Sequence, residues 1–205
     1  MSNPRSTSIA LAATGAVIAT NSLAFGTQLF FDPSSFSEIG GSSTHRTYYV
    51  VLLLCVASLS LVLPRLTDVT GSTGRTLPGA VLTFVGLGVF FDGGTRFVEA
   101  FVVPYLADFA PELLNDTPAS GLMYAMVTAW ILYMASLVLL GVTAYRRRVF
   151  PRAACVLIII GGASVPLLGP LSGILIGAGL TWSGIAAAGR PAHQKVPVGS
   201  AVATG

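Results

Sequence analysis

Six apolar stretches, each close to the length of a bilayer crossing, constrain this chain more than any motif in it. A helix needs roughly 20 mainly apolar residues to cross a hydrocarbon core of about 30 Å, because each residue advances it by about 1.5 Å. Residues 8–31 begin SIALAATGAVIATNSLAF and run into FDPSS, where Pro33 and the serines favour a break. This stretch is longer than a signal-peptide core and lacks a clear cleavage site, so it reads as a retained span. Residues 47–66 carry YYVVLLLCVASLSLVLP, and Tyr48 and Tyr49 suit an interface that keeps their hydroxyls wet. A third span starts near residue 77; its helix either breaks at Gly93 and Gly94 or continues to Tyr105. Residues 120–145 form a fourth, stopped by Arg146, Arg147 and Arg148. Residues 151–168 and 171–188 read as a fifth and a sixth, divided by a tight hairpin at Gly169 and Pro170.

The expected fold is therefore an all-α, polytopic membrane bundle of six transmembrane helices over residues 8–188. It lies between a cytoplasmic N-terminal tail, 1–7, and a disordered cytoplasmic tail, 189–205, rich in Gly, Pro and Ala. Composition agrees: 53% of residues are hydrophobic and only 9% charged, against about a quarter charged in soluble domains.

Basic residues set the expected orientation. With both termini in the cytoplasm, Arg5, Arg65, Arg75, Arg146, Arg147, Arg148, Arg152, Arg190 and Lys195 lie inside, and only Arg46 lies in an outer loop. Asp32, Glu38, Asp108, Glu112 and Asp116 fall outside. This pattern predicts a multi-pass protein of the plasma (inner) membrane. The formal charge of +3 then belongs to residues flanking spans, where anionic lipid headgroups, rather than nucleic acid, are the natural partners. A second copy of the chain or another membrane protein is the other partner class expected.

Reactive motifs are sparse. Cys55 and Cys155 fall inside spans at different depths, which argues against a disulfide, and His45 and His193 are too far apart in the topology to build a zinc site or a paired haem ligation. The chain contains no HExxH, GxSxG or Walker A sequence. No cofactor and no metal are expected, and no catalytic residue is assigned.

One polar cluster stands out. FFDGGTRFVEAF, residues 90–101, places Asp92, Arg96 and Glu99 within an arc of roughly 60° on a helix. Asp92 precedes Arg96 by four residues, the favourable order for an ion pair, and Glu99 follows by three. Pairing matters because an isolated charge at mid-membrane costs upwards of about 2.5 kcal/mol. The three either cap a helix that ends near Phe91, line an outward-facing cavity on a helix that continues, or sit in a re-entrant segment tucked among helices.

Other spans offer partners for that cavity. Thr14, Asn21 and Gln28 recur every seven residues as one polar stripe, suited either to interhelical hydrogen bonds or to a cavity wall. His45, Tyr49 and Tyr124, with Thr128, complete the pocket by expected depth. Gly15 with Ala19, and Gly173 with Gly177, have the small-xxx-small spacing of close helix contacts. Trp130, Tyr133 and the methionines around them read as packing residues.

At YRRRVFPRAACVLIIIGG and FVEAFVVPYLADFAPELL the chain resembles small multi-pass bacterial membrane proteins of domain-of-unknown-function type. The resemblance covers the third to sixth spans. It implies a compact helical membrane fold and carries no activity or catalytic residue. The function expected is non-enzymatic: binding or conducting a small ligand, or partnering a membrane protein. The alternatives are a membrane enzyme using Asp92 or Glu99 on a lipophilic substrate, and a small transporter or oligomeric pore.

Overall fold

The computed structural model describes residues 4–67, 76–115 and 121–189. The tail from residue 190, with Arg190, His193 and Lys195, lies outside these, as do Arg75 and Asp116, and the expectations placed on them. Among the described residues every regular element is helical: α1 (Pro4–Phe31), α2 (Phe36–Gly41), α3 (Ser43–Val62), α4 (Gly79–Phe109), α5 (Glu112–Asn115), α6 (Gly121–Arg147), α7 (Arg152–Ala163), α8 (Val165–Leu168) and α9 (Ser172–Ala188). Five helices are long and apolar enough to cross a membrane: Pro4–Phe31, Ser43–Arg65, Gly79–Phe109, Tyr124–Arg147 and Val165–Ala188, the last of which includes the turn at Gly169.

The fifth expected stretch differs most from its reading. Residues 151–168 form the 12-residue α7, a bend at Ser164, and the short α8. Pro166 explains the bend, since it donates no backbone N–H and its ring crowds the carbonyl four residues back. Gly169 then takes φ +47°, a left-handed conformation that costs glycine little, and the chain reverses. The reversal lays α9 antiparallel on α7, with Gly179 against Ala154 and Ile158, and Gly161 against Leu175 and Ile176.

Glycine also sets a close contact between two helices. A Cβ at Gly177 would lie 2.5 Å from the backbone of Gly15 and Ala19, and one at Gly184 2.5 Å from Ala12 N, so α1 and α9 meet backbone to backbone. Such approach maximises dispersion contact where lipid provides no hydrophobic drive between helices. The small-xxx-small residues singled out in the sequence sit in this seam. Between the helices a common apolar core runs from Leu11 through Leu52 and Val85 to Leu137, Ile158 and Leu180.

Short outer elements aim the polar residues. Ser35 caps α2 reciprocally with Glu38: the Ser35 hydroxyl accepts the Glu38 N–H at 3.4 Å, and the Ser35 N–H donates to Glu38 Oε2 at 2.9 Å. Ser42 caps α3 by accepting the His45 N–H at 3.1 Å. That cap starts α3 early enough to put His45 in its first turn, against α4.

The α4 helix runs unbroken through Gly93 and Gly94 and ends at Phe109, which removes the alternative of a helix ending near Phe91. Its 31 residues span about 46 Å, well beyond a hydrocarbon core of about 30 Å.

Candidate functional site

Asp92 and Arg96 form the pair that their spacing predicts. Arg96 Nη2 lies 2.9 Å from Asp92 Oδ1, and Arg96 Nε donates to Asp92 Oδ2 at 3.1 Å. Both carboxylate oxygens are thereby engaged by one guanidinium, the strongest geometry available to such a pair. Asp92 is only 1% exposed. The Thr95 hydroxyl donates to the Asp92 carbonyl at 2.7 Å and lies 3.5 Å from Asp92 Oδ1, a much weaker contact than either made by the arginine. The Arg96 guanidinium also lies over the Tyr49 ring, 5.5 Å from its centre.

Glu99 does not join them. It is buried against α3, where His45 Nε2 lies 3.3 Å from Glu99 Oε2 and 3.0 Å from the Glu99 carbonyl oxygen. A carbonyl can only accept, so Nε2 carries the proton and donates. The cause is local backbone chemistry. Residues Val98–Val102 form a π-helical turn in which the Val103 N–H bonds Val98 O, one residue further back than in an α-helix. Pro104 follows and has no N–H. The Glu99 carbonyl therefore loses its helical donor, and His45 replaces it. The wider turn directs Glu99 to His45 rather than to Arg96, so Arg96 is not shared between two carboxylates.

A second π-helical turn, Ser22–Gly26, divides the polar stripe of α1. Thr14 bonds Ser58 on α3 at 2.7 Å, and Asn21 Nδ2 donates to Tyr48 O at 3.1 Å. Beyond the π turn the stripe is rotated off this face, and Gln28 is exposed. Asn21 and Gln28 are thus not cavity residues. Tyr48, expected at the interface, is 2% exposed, and its hydroxyl donates to Pro170 O at 3.2 Å, tying α3 to the α8–α9 turn.

A cavity of about 520 Å³ opens beside the Asp92–Arg96 pair, between α3, α4, α6 and the α8–α9 turn. Small-molecule sites commonly have volumes of about 300–1,000 Å³. Tyr48, Tyr49, Trp130 and Tyr133 line it, with Cys55, Met134 and an apolar remainder. Val127 and Ile131 of α6 and Pro166 of α8 line its outer side and are themselves exposed, so the cavity has a sideways mouth on the apolar surface of the bundle. Of the sequence-predicted residues, Asp92, Arg96 and Tyr49 reach this cavity. Glu99 and His45 form a separate buried pair joined to it through Tyr49, whose ring lies against His45 with centres 4.6 Å apart and planes tilted by 52°. Tyr124 is 65% exposed and stands off the site because its face of α6 points outward.

Trp130 and Tyr133, which residue pattern assigns to packing, line the cavity. They follow each other by three residues and so share a face of α6, a spacing that packing residues have as well. Cys55 and Cys155 are free and buried on α3 and α7. Among the described residues no group of three or more His, Cys, Asp or Glu side chains could hold a metal ion.

Comparison with protein-family models, with curated proteins and with solved structures finds no match for this chain.

Proposed function

We propose that this is a multi-pass protein of the bacterial inner membrane that binds a small, mainly apolar ligand in the cavity beside Asp92 and Arg96. The observation that carries the reading is the coincidence of three properties in one place: a volume suited to a small molecule, a buried ion pair in its wall, and a mouth facing the apolar surface. A ligand dissolved in the bilayer reaches such a mouth without crossing water.

The proposed topology has six crossings with both termini in the cytoplasm. Supporting it, α7 lies antiparallel to α6, with Gly141 against Cys155 and Ile159, and antiparallel to α9. Arg147 Nη1 donates to Thr76 O at 3.3 Å, which gathers the end of α6 and the start of α4 at one face with basic residues. The cavity then opens in the outer half of the bilayer. An enzymatic role for Asp92 is disfavoured, because both of its oxygens are held by Arg96.

The test is native mass spectrometry of the wild type and of Ile131→Trp, which places an indole across the mouth at a residue that tolerates bulk because it is 59% exposed. The wild type is expected to carry a small-molecule adduct that the variant lacks. Equal adducts on both, or none on either, would reject binding at this cavity.

A further inference from the structure

We infer that the cavity selects an uncharged ligand whose carbonyl oxygen is its polar end, a deepening that rests on the binding role proposed above. The reasoning is an inventory of donors and acceptors. Both Asp92 oxygens are taken by Arg96. The Pro170 carbonyl at the wall is taken by the Tyr48 hydroxyl, and the Gly169 carbonyl accepts from Ser172 at 2.7 Å. These four oxygens, two carboxylate and two carbonyl, are therefore occupied.

Donors are left over. The Asp92 pair uses Arg96 Nε and Nη2, so the Nη1 end of a guanidinium that lines the cavity remains. Tyr133 is 7% exposed, and its hydroxyl has no hydrogen bond among the described residues. Trp130 Nε1, in the same wall, is buried without a partner. Arg96 Nη1 and Trp130 Nε1 can only donate, and the Tyr133 hydroxyl can donate as well as accept, so the three together are met best by an accepting oxygen on the ligand.

Charge then narrows the class. Asp92 and Arg96 cancel, so a bound anion would sit in a low-dielectric site with no net positive charge to offset its desolvation, and Glu99 stands just beyond Tyr49. A cation finds no free carboxylate. A neutral carbonyl takes the donors without that penalty, and the rest of its body packs against Tyr48, Leu52 and Val56. A quinone ring and an ester lipid both present this chemistry.

The chain has only two tryptophans, which supplies the readout. In Trp182→Phe protein in lipid nanodiscs, Trp130 is the sole reporter. Four probes are titrated: decyl-benzoquinone, dioctanoylglycerol, decanoate and decyltrimethylammonium. The proposal expects saturable change with one or both neutral carbonyl probes, no saturation with either charged probe, and no saturable change in Trp130→Phe, where exposed Trp182 reports lipid partitioning alone. The first two probes separate the quinone from the ester source. Tyr133→Phe, a change that keeps the ring and its packing, should weaken the saturating probe about fivefold, the worth of one hydrogen bond. Saturation by decanoate or by the ammonium at equal or lower concentration overturns the selectivity while leaving binding intact. Absence of saturation with all four overturns the carbonyl class, and native mass spectrometry then decides separately whether the cavity binds anything. An unchanged affinity in Tyr133→Phe removes the donor argument.

Discussion

The seam between α1 and α9 and the seam between α3 and α4 hold helices together by opposite means. At the first, Gly15, Gly177 and Gly184 bring two backbones into direct contact, with a shallow groove along the seam lined by Ala16, Ala19, Ala178 and Trp182. At the second, the His45–Glu99 pair and the Arg96 guanidinium over the Tyr49 ring cross between the helices, Asp92 holds Arg96 from within α4, and a cavity opens beside them. The difference is geometric as much as chemical. Small residues remove the material that would keep helices apart, whereas ion pairs and tyrosines impose a spacing that neighbouring side chains do not fill. The larger cavity of this bundle is thus found next to its charges, and the glycine seam lies where the backbones touch.

The largest expected effect breaks the polar seam. Asp92→Ala leaves the partly buried Arg96 without its carboxylate, at a cost of up to about 3–5 kcal/mol, the range for fully buried pairs. Adding Arg96→Met should restore most of this, because the uncompensated charge goes too. Unfolding in mixed micelles measures both, and equal instability of the single and double variants would show that packing, not charge, governs this seam. Next comes the glycine seam. Gly177→Leu forces a side chain into the α1 backbone and should cost about 1–3 kcal/mol or more. Gly94→Ala has open space around its Cβ and should stabilise α4 by about 0.5–1 kcal/mol. If the two substitutions destabilise alike, close approach is not what distinguishes the α1–α9 contact. The smallest effect is expected at Thr14→Val, which removes the hydrogen bond to Ser58 at about 0.6 kcal/mol, the average for such bonds between membrane helices. A loss several times larger would mean that α1 depends on polar bonding as heavily as α4 does.

How far these seams could be read from residues alone follows from the range of the forces involved. Helical spans are a property of apolar length, and the Asp92–Arg96 pair a property of spacing by four, so both were legible. Glu99 and Gln28 were misplaced because each lies in or beyond a π-helical turn, where a rotation computed at 100° per residue no longer holds. The shortness of α7 turned on a single proline, Pro166, inside an otherwise apolar run. The cavity was hidden for a different reason. Trp130 and Tyr133 look the same in sequence whether their neighbours fill the space before them or leave it empty, and only the arrangement of α3, α6 and the α8–α9 turn decides between the two.

The proline at 104 has a consequence for how sequences of this fold can drift. By lacking an N–H it turns the Glu99 carbonyl from a rung of its own helix into a socket for another, and His45 is the plug. Neither residue is then free to change alone: restoring an amide at 104 gives the carbonyl a competing local donor, and losing the donor at 45 leaves it empty in a buried place. Positions 45 and 104, 59 apart along the chain and with different chemistries, should behave as one inherited character, a hydrogen-bond donor at the first accompanying proline at the second.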